Sequence, residues 1–381
     1  MKKKSYNQIF LIYILALPFS WVEIGNISLY RIIVTFISLF WILKNRLIVK
    51  IPKNKTFYAC LAYFGYCILN SFLYSSFNIA FGMISLFLIG LIFLNVELND
   101  EIINKIDRMW LIVGIAFILL FLFGQSVQIG EWGARKSLII LGTRTDPNEF
   151  ASFFVVFLPI IFSCILSEKK LIKIILLSTI IFSGSYIVLM SGSRAALISL
   201  IIALFITFIL SKKISIGKSL LLGLLSAMLL ILVFELIIPL IPQSTIERLS
   251  LDALVQDKGS GRTEIWSMAM NKYVDGNPIK WLLGYGYNGM EVYYYYGKTS
   301  TMHNQFIQNL VSFGIFGLIL YLKLVFTSFN SMLKNNRKYI GAFVGLMFMS
   351  LTITMSPSYK ILWILLFICG MNNRIGFNKT E

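Results

Sequence analysis

The chain has 381 residues, of which 57% are apolar and only 13% are charged, and its mean hydropathy is +0.79. This composition excludes a soluble globular protein and predicts a polytopic membrane protein. The formal net charge of +17 does not indicate nucleic-acid binding, because the basic residues lie in short joints between apolar runs and form no basic stripe with interleaved aromatics.

The apolar runs predict an all-α polytopic membrane protein. A helix crosses a bilayer with about 20 predominantly apolar residues, and this length predicts about twelve transmembrane helices in a single integral membrane domain, residues 1–381. Lysine and arginine concentrate in alternate joints, which places both termini in the cytoplasm. Residues 241–303, the longest polar interval, then form a large, partly helical outer loop between the ninth and tenth spans. The predicted spans are 8–22, 27–43, 57–74, 79–95, 109–124, 148–167, 171–190, 195–211, 218–240, 304–327, 339–354 and 360–372.

The joint before the sixth span ends in a helix-start pattern. Asp146 as N-cap, Pro147 at the first helical position and Glu149 at the third account structurally for these three residues. Arg144 and Asn148 are not explained by this pattern. We therefore keep them, with Asp146, as candidate contacts around a substrate.

The short joint before the eighth span places Arg194 in the first turn of a helix, behind Ser191, Gly192 and Ser193. A cation there opposes the positive end of the helix dipole, unless an anion is bound. Free amides and a planar guanidinium together make a good phosphate site. The alternative is an interfacial arginine that reaches lipid headgroups.

A similar pattern occurs inside the long loop. Arg262 opens an amphipathic helix that is predicted to run to Tyr273, and it lies on the apolar stripe that contains Trp266. Arg262 is therefore a second candidate anion site, or else it makes a cation–π contact with Trp266. Tyr287 belongs to a tyrosine-rich stretch that fits either the aromatic belt of a membrane surface or stacking against sugar rings.

His303 is the sole histidine, and it stands with Asn304 at the start of the tenth span, behind Thr299, Ser300 and Thr301 as candidate caps. The helix dipole opposes an imidazolium at this end, and a neutral imidazole is what a general base requires. The simpler interpretation is a hydrogen-bonded interfacial histidine. The polar and basic starts of the sixth, eighth and tenth spans on one face favour the catalytic interpretation.

At these residues the sequence resembles the bacterial O-antigen ligase and Wzy-type O-antigen or capsular polysaccharide polymerase superfamily. The resemblance covers roughly residues 142–320, and the earlier spans are similar in character only. The matching pieces, in family order, are Asp146-Pro147-Asn148 with Phe150-Ala151, Ser191-Gly192-Ser193-Arg194-Ala195, Gly261-Arg262 with Trp266, Gly284-Tyr285-Gly286, and His303-Asn304-Gln305-Phe306 followed by Gly314 and Gly317.

The resemblance implies metal-independent, inverting glycosyl transfer without a cofactor, on the outer face of the bacterial cytoplasmic membrane. The donor would be an undecaprenyl-diphosphate-linked oligosaccharide, with its diphosphate held by Arg194 and Arg262 and the acceptor hydroxyl activated by His303. Guanidinium groups near a low-dielectric boundary can stabilise the leaving diphosphate in place of a metal. A chain-length regulator and a flippase are the implied partner proteins.

Two other functions remain open from the sequence. The motifs are shared by polymerases, which extend a second lipid-linked repeat unit, and ligases, which transfer the glycan to lipid A-core; the overall character of the chain favours the polymerase. A transporter or flippase of a lipid-linked anion would use the same arginines for binding alone. Such a protein should bury charges within the membrane, and Lys323 is the best candidate.

Overall fold

A computed structural model describes residues 9–25, 27–44, 54–129, 135–210, 241–250, 252, 261–287, 292–294, 298–354 and 359–373. The helices are α1 (Phe10–Leu15), α2 (Leu29–Lys44), α3 (Lys55–Leu73), α4 (Phe77–Leu94), α5 (Asp100–Phe123), α6 (Pro147–Ile165), α7 (Leu171–Met190), α8 (Arg194–Ile209), α9 (Gln243–Leu249), α10 (Arg262–Val274), α11 (Pro278–Leu283), α12 (Gln305–Asn335), α13 (Ile340–Met349) and α14 (Lys360–Gly370).

The strands are short, and each pairs with a strand nearby in space. β4–β5–β6 form a three-stranded antiparallel sheet, β1–β2 and β7–β8 form hairpins, and β3 pairs with β9 in parallel. Their bounds are β1 (Glu23–Ile24), β2 (Ile27–Ser28), β3 (Glu97–Leu98), β4 (Ser126–Ile129), β5 (Arg135–Ile140), β6 (Thr143–Arg144), β7 (Val292–Tyr294), β8 (Lys298–Ser300) and β9 (Asn372–Asn373).

The long apolar helices of the structure confirm the prediction of a helical, multi-pass membrane protein. Within the described residues six helices are long and apolar enough to cross a membrane: α3, α4, α5, α6, α7 and α12. The helices at the remaining described spans are shorter, and the first predicted span is a helix of six residues followed by a 3₁₀ turn at Leu17–Ser20, which contains Pro18. The predicted ninth span, 218–240, and the basic joints at 2–4, 45–53 and 211–218 lie outside the described residues.

The helices divide between two compact units. Unit 1 comprises Met1–Ile106, Lys258–Asn336 and Ser350–Glu381, and unit 2 comprises Asp107–Asp257 and Arg337–Met349. The long loop predicted at 241–303 is partly helical, as expected, since it contains α9, α10 and α11.

Unit 1 is built around α3, which packs against α4 and α12, while α14 packs against the same two helices. Aromatic side chains fill this interface: the ring of Trp363 on α14 lies 5.1 Å from Phe64 and 5.8 Å from Tyr63, both on α3. Lys323 on α12, proposed from the sequence as a buried intramembrane charge, is exposed. A buried charge at this residue would have favoured a transporter, and Lys323 does not provide one.

Unit 2 is built around α6, whose residues 150–161 are all buried. Helix α8 packs against both α6 and α13, and α13 approaches α8 through two glycines. A β-carbon placed on Gly345 would lie 2.6 Å from Ala203 Cβ, so the Gly341-x-x-x-Gly345 spacing allows close backbone contact, as in many membrane helix pairs. The ion pair of Lys338 with Asp107, which also accepts a hydrogen bond from Tyr339 at 2.8 Å, connects α5 to the residues before α13.

Candidate functional site

The nine residues singled out from the sequence are divided between the two units. Those in unit 1 are Arg262, Trp266, Tyr287, His303 and Asn304. Those in unit 2 are Arg144, Asp146, Asn148 and Arg194.

In unit 1, α10 is the amphipathic helix that the sequence predicts. It begins after the N-cap Gly261 and buries Ile265 and Ala269 against Met302 and Val311. The apolar stripe therefore packs against the start of α12 and the residues just before it. Arg262, at the first helical position, is half-buried.

Trp266 connects α10 to the chain beside His303. Its indole Nε1 donates a 2.8 Å hydrogen bond to the carbonyl oxygen of Met302. The amide of Met302 in turn donates to the Gln308 side chain at 3.3 Å. Arg262 precedes Trp266 by four residues and thus lies on the same face of α10. The helix therefore links a guanidinium in its first turn to the backbone next to the only histidine.

His303 occupies an unusual backbone conformation. Its φ is +46°, in the left-handed region that few residues other than glycine adopt, although histidine does so more often than most. The fixed amide and carbonyl of Met302 hold the chain on one side of this residue. On the other side Asn304 caps α12 by accepting hydrogen bonds from the Phe306 and Ile307 amides at 2.9 and 3.0 Å. The half-buried imidazole is thereby held on a fixed stretch of backbone.

The cap of α12 differs from the expectation. Asn304, rather than Thr299, Ser300 or Thr301, is the N-cap, and His303 precedes the cap instead of lying within the first turn. Strand β8 includes Thr299 and Ser300, whose backbone pairs with β7, so neither residue is available to start the helix. The sequence predicted the helix start correctly but assigned its cap to the wrong residues.

Helix α12 is broken about two and a half turns after it begins, at Gly314, where φ is +68° and ψ is −173°. Residues 282–286 fill the break. The amides of Tyr285 and Gly286 donate to the carbonyl oxygens of Val311 and Ser312 at 3.0 and 2.9 Å. Backbone in a membrane protein must satisfy its polar groups internally, and this segment does so for the broken helix.

Side chains of α3 and of Tyr74, the residue that follows it, hold the same segment. The Tyr66 hydroxyl donates to the Phe313 carbonyl at 2.7 Å, Asn70 donates to the Leu283 carbonyl at 2.6 Å, and the Tyr74 hydroxyl donates to the Gly284 carbonyl at 2.8 Å. The motif Gly284-Tyr285-Gly286 is thus explained by helix packing. Neighbouring Tyr287 lies with its ring 6.4 Å from Phe313, so its position fits packing as well as a sugar contact.

In unit 2, the predicted start of α6 is confirmed. The Asp146 carboxylate accepts hydrogen bonds from the amides of Asn148 and Glu149 at 2.8 and 3.1 Å, and Pro147 is the first helical residue. Asp146 therefore has the capping role that the sequence assigns to it. Arg144 is exposed in strand β6, where its backbone pairs with Ile139.

Two arginines that the sequence analysis did not single out lie beside Arg194. Arg135 donates from Nε to the Ser191 carbonyl at 3.0 Å, and Arg248 donates from Nε to the Gly192 carbonyl at 3.2 Å. Arg194 itself donates from Nε to the Arg248 carbonyl at 2.8 Å. Three guanidinium groups thus converge on one tight turn, although 113 residues separate the first from the last along the chain (248 − 135 = 113).

This turn leads directly into α8, whose N-cap Ser193 accepts a hydrogen bond from the Ala196 amide at 3.4 Å. Arg135 also donates from Nη2 to Asn148 at 2.8 Å, which connects the predicted contact residue Asn148 to the turn. Clustered guanidinium groups at a helix N-terminus can bind a phosphate-bearing ligand by bidentate, charge-assisted hydrogen bonds. The arrangement therefore fits the anion site proposed for Arg194. Among the described residues, no cluster of three or more His, Cys, Asp or Glu side chains is suited to hold a metal ion.

Comparison with known families agrees with the resemblance read from the sequence. Residues 177–322 match the family model described as O-antigen ligase. The matched stretch contains Arg194, Arg262 and His303, whereas Arg144, Asp146 and Asn148 precede it. No curated protein is significantly similar to the chain. The predicted relationship to the O-antigen ligase and Wzy superfamily is thereby confirmed over these residues.

Proposed function

We propose that this chain, whose residues 177–322 match the O-antigen ligase family model, is a membrane glycosyltransferase of the polymerase type. It joins undecaprenyl-diphosphate-linked repeat units of O-antigen or capsule at the outer face of the bacterial cytoplasmic membrane. The observation that supports a transferase of this class is the family match across Arg194, Arg262 and His303. The overall character of the sequence favours the polymerase over the ligase. A chain-length regulator and a flippase are its proposed partner proteins.

His303 acts in this proposal as the general base. Its imidazole takes the proton of the acceptor hydroxyl as the acceptor oxygen attacks the anomeric carbon of the donor sugar. The bond from that carbon to the diphosphate oxygen breaks with inversion, and undecaprenyl diphosphate leaves with the electron pair. The imidazolium then returns its proton to water. The fixed backbone around His303, held by Trp266 and Asn304, supports this role because a base must be positioned before its basicity matters.

Arg194 and Arg262 bind the donor diphosphate and stabilise the charge that develops as it leaves. Two observations support the assignment: each arginine is the first residue of a helix, and each is half-buried. In unit 2 the side-chain Nε of Arg194 donates a hydrogen bond to the backbone carbonyl of Arg248, which fixes the plane of the guanidinium group. An oriented guanidinium offers two parallel donors to phosphate oxygens, which a lysine cannot reproduce.

A ligase is the second candidate, and it is favoured by the description of the matched family as O-antigen ligase. The donor and the three roles stay the same, and only the acceptor changes, from a second lipid-linked repeat unit to lipid A-core.

Reconstitution of the full chain in liposomes with purified lipid-linked repeat unit and a chelator tests both candidates. Polymer formed under these conditions supports a metal-independent polymerase. Transfer only after lipid A-core is added supports the ligase. Binding of the lipid-linked unit without any transfer contradicts both and favours the transport class.

The role of His303 is tested by His303→Ala, with His303→Gln as a variant that keeps a polar side chain. We expect both to abolish chain extension while the lipid-linked donor accumulates, because neither side chain can take the acceptor proton at neutral pH. Near-normal polymer in either variant contradicts the general-base assignment.

The arginine contacts are tested by Arg194→Lys and Arg248→Lys. We expect Arg194→Lys to reduce the transfer rate by about tenfold or more, since one charge-assisted hydrogen bond contributes roughly 1.5–3 kcal/mol. Arg248→Lys should act in the same direction with a smaller effect, because it keeps the backbone carbonyl that Arg194 contacts and alters only the hydrogen bond from the Arg248 side chain to the Gly192 carbonyl. Arg108→Lys, at an exposed position of α5, is the matched control. Equal rates in all three variants would favour a headgroup-anchoring role for Arg194.

A further inference from the structure

The two parts of α12 fold back on each other at Gly314. Phe306 and Tyr321 lie on either side of this break, and the centroids of their rings are 5.8 Å apart. In a straight α-helix their Cα atoms would be about 22 Å apart, too far for the two side chains to meet. Residues 305–313 therefore form a separate half-helix. Residues 315–335 form about 31 Å of helix by themselves, which is long enough to cross a bilayer.

Hydrogen bonds to α3 fix the level of the half-helix. The Tyr63 hydroxyl donates to Asn309 Oδ1 at 2.8 Å, and Tyr63 is the ninth of the 19 residues of α3. The Tyr66 hydroxyl, further along α3, bonds to the Phe313 carbonyl, so the half-helix runs in the same direction as α3. Asn309 is therefore level with the middle of a helix that is long and apolar enough to cross a membrane. His303 precedes Asn309 along this direction and lies at least as far from the C-terminal end of α3.

Helix α10 lies against the half-helix along its length. The Trp266 indole bonds to the carbonyl of Met302, just before the half-helix begins. Near the other end, the Tyr285 hydroxyl donates to the Lys272 carbonyl at 2.7 Å, and the Tyr285 amide bonds to the Val311 carbonyl. The two helices are therefore antiparallel, and the first turn of α10 lies at the same level as the start of the half-helix.

The exposed face of α10 is polar. Thr263, Ser267 and Asn271 recur every four residues, so they share one face of the helix, and all three are exposed. Within α10, all of whose residues the structure describes, the exposed large apolar side chains are Met268 and Val274. Polar side chains at membrane depth face either the protein interior or a water-filled space, because hydrocarbon cannot hydrogen-bond to them. Exposed side chains do not face the interior, so this face of α10 indicates a water-filled space.

We propose that α10 and the half-helix form one wall of a water-filled cleft that descends to about the middle of the bilayer, with Arg262 and His303 near its lower end. The sugar chain of a lipid-linked substrate enters the cleft, and its hydroxyl groups hydrogen-bond to Thr263, Ser267 and Asn271. Hydroxyl and amide side chains suit this ligand because they both donate and accept hydrogen bonds, as sugar hydroxyls do. The opening of the cleft on the outer face and the entry of the glycan rest on the proposed function, whereas the depth and the water content do not.

The depth is tested by double electron–electron resonance between nitroxide labels at Thr301→Cys and Phe326→Cys, in the full chain reconstituted in lipid nanodiscs. Both positions are exposed, three native cysteines are buried, and the half-buried fourth is removed by Cys164→Ala. A continuous helix would hold Gln305 about 32 Å from Phe326. We expect a clearly shorter distance between the labels, of about 20 Å, because the half-helix folds back. A distance of about 30 Å or more overturns the depth of His303 and with it the cleft.

The water content is tested by the reaction of Ser267→Cys with a membrane-impermeant, charged methanethiosulfonate in the same nanodiscs. Leu322→Cys is the matched control, because Leu322 is also exposed but lies on the apolar surface of α12, next to Tyr321. We expect Ser267→Cys to react about tenfold faster or more, since the reactive thiolate forms in water and not in hydrocarbon. Equally slow reaction at the two positions overturns the water-filled cleft. Both positions are exposed, so neither variant disturbs the packed core.

Entry of the glycan is tested by the transfer assay on Ser267→Cys before and after modification, with the unsubstituted chain treated with the same reagent as the control. A bulky adduct in the cleft should lower the transfer rate about tenfold or more relative to the same variant before modification, because it occupies the path of the glycan. Unchanged transfer after complete modification overturns the entry of the glycan. A chain that transfers nothing before modification contradicts the proposed function instead, and the cleft is then decided by the label distance and the thiol reaction rates.

Discussion

Replacing Gly314 with alanine tests whether the break in α12 depends on a glycine at that position. The backbone there has a φ of +68° and a ψ of −173°, a combination that is essentially restricted to glycine. A β-carbon added to Gly314 would also overlap the carbonyl group of Leu282 and lie 2.7 Å from the Gly284 amide nitrogen. The substitution is therefore disfavoured both by the backbone conformation and by the neighbouring chain.

The two costs can be estimated separately. A side chain in this backbone region costs about 1–3 kcal/mol. Forcing an extra carbon into a closely packed contact costs about 1–3 kcal/mol more, and here the neighbour is backbone that cannot rotate away. We therefore expect Gly314→Ala to lower the free energy of unfolding by about 2–6 kcal/mol.

The measurement is unfolding of the full chain in mixed micelles, followed by tryptophan fluorescence as the denaturing detergent is increased. Gly25→Ala is the matched control, because Gly25 also has a positive φ, of 64°, yet nothing lies within 4 Å of the β-carbon it would receive. The control should lose about 1–2 kcal/mol from backbone strain alone. If Gly314→Ala is no less stable than Gly25→Ala, the packing of residues 282–286 into the break does not stabilise unit 1 as argued.

Two further substitutions test other contacts of the two units. Trp266→Phe removes the hydrogen bond to the Met302 carbonyl, a loss of about 0.5–1.5 kcal/mol, and we expect the transfer rate to fall roughly two- to tenfold as the backbone beside His303 loosens. Asp107→Asn leaves the Lys338 ammonium without its carboxylate and should lower the free energy of unfolding by about 2 kcal/mol, measured by the same detergent titration.

Each of these substitutions has a counterpart: Trp281 lies in the same unit as Trp266, and Asp100 lies on the same helix as Asp107. Trp281→Phe removes an indole whose hydrogen bond, 3.3 Å to Val274, is exposed, and it should leave the transfer rate unchanged. Asp100→Asn changes an exposed acid at the start of α5 and should cost less stability than Asp107→Asn. If Trp281→Phe lowers the transfer rate as much as Trp266→Phe does, the hydrogen bond of Trp266 has no special role. If the two aspartate variants lose equal stability, the ion pair of Asp107 with Lys338 has none.

The pH dependence of the Asp107–Lys338 pair follows from its electrostatics. Burial is the largest single effect and disfavours the charged form of Lys338, but the charge and hydrogen-bond interactions with Asp107 and Cys164 together outweigh it and raise the pKa of the ammonium above its ordinary value of 10.5. A raised pKa means that the pair contributes its full stability below that ordinary value and loses it as the pH rises through the folded-state pKa. The Asp107→Asn difference should therefore be constant across neutral pH and shrink only in strongly alkaline solution.

The sequence predicted those features that depend on a few neighbouring residues. The capped start of α6 at Asp146 and the start of α8 at Arg194 are each encoded within about one helical turn, and both are confirmed. The amphipathic helix from Arg262 is confirmed for the same reason, because its stripe and its glycine start are both local signals.

Features that depend on distant segments were not predictable from the sequence. The predicted tenth span, residues 304–327, reads as one continuous helix, and the break at Gly314 becomes apparent only once residues 282–286 are seen to supply the hydrogen bonds for it. Arg135 and Arg248 reach the turn before α8 from 56 residues away on either side of it, so no spacing in the sequence associates them with Arg194. Long-range contacts of this kind follow from tertiary packing and have no local signature.

The left-handed backbone of His303 has a consequence for how this protein balances stability against activity. A non-glycine residue in that conformation costs about 1–2 kcal/mol, so glycine at this position would relieve strain and stabilise the fold. The same replacement would remove the only imidazole in the chain. The residue that suits the backbone best is thus one that cannot act as a base. If His303 is the proposed base, a screen for thermostable variants should enrich inactive protein at position 303, a trade-off between stability and activity.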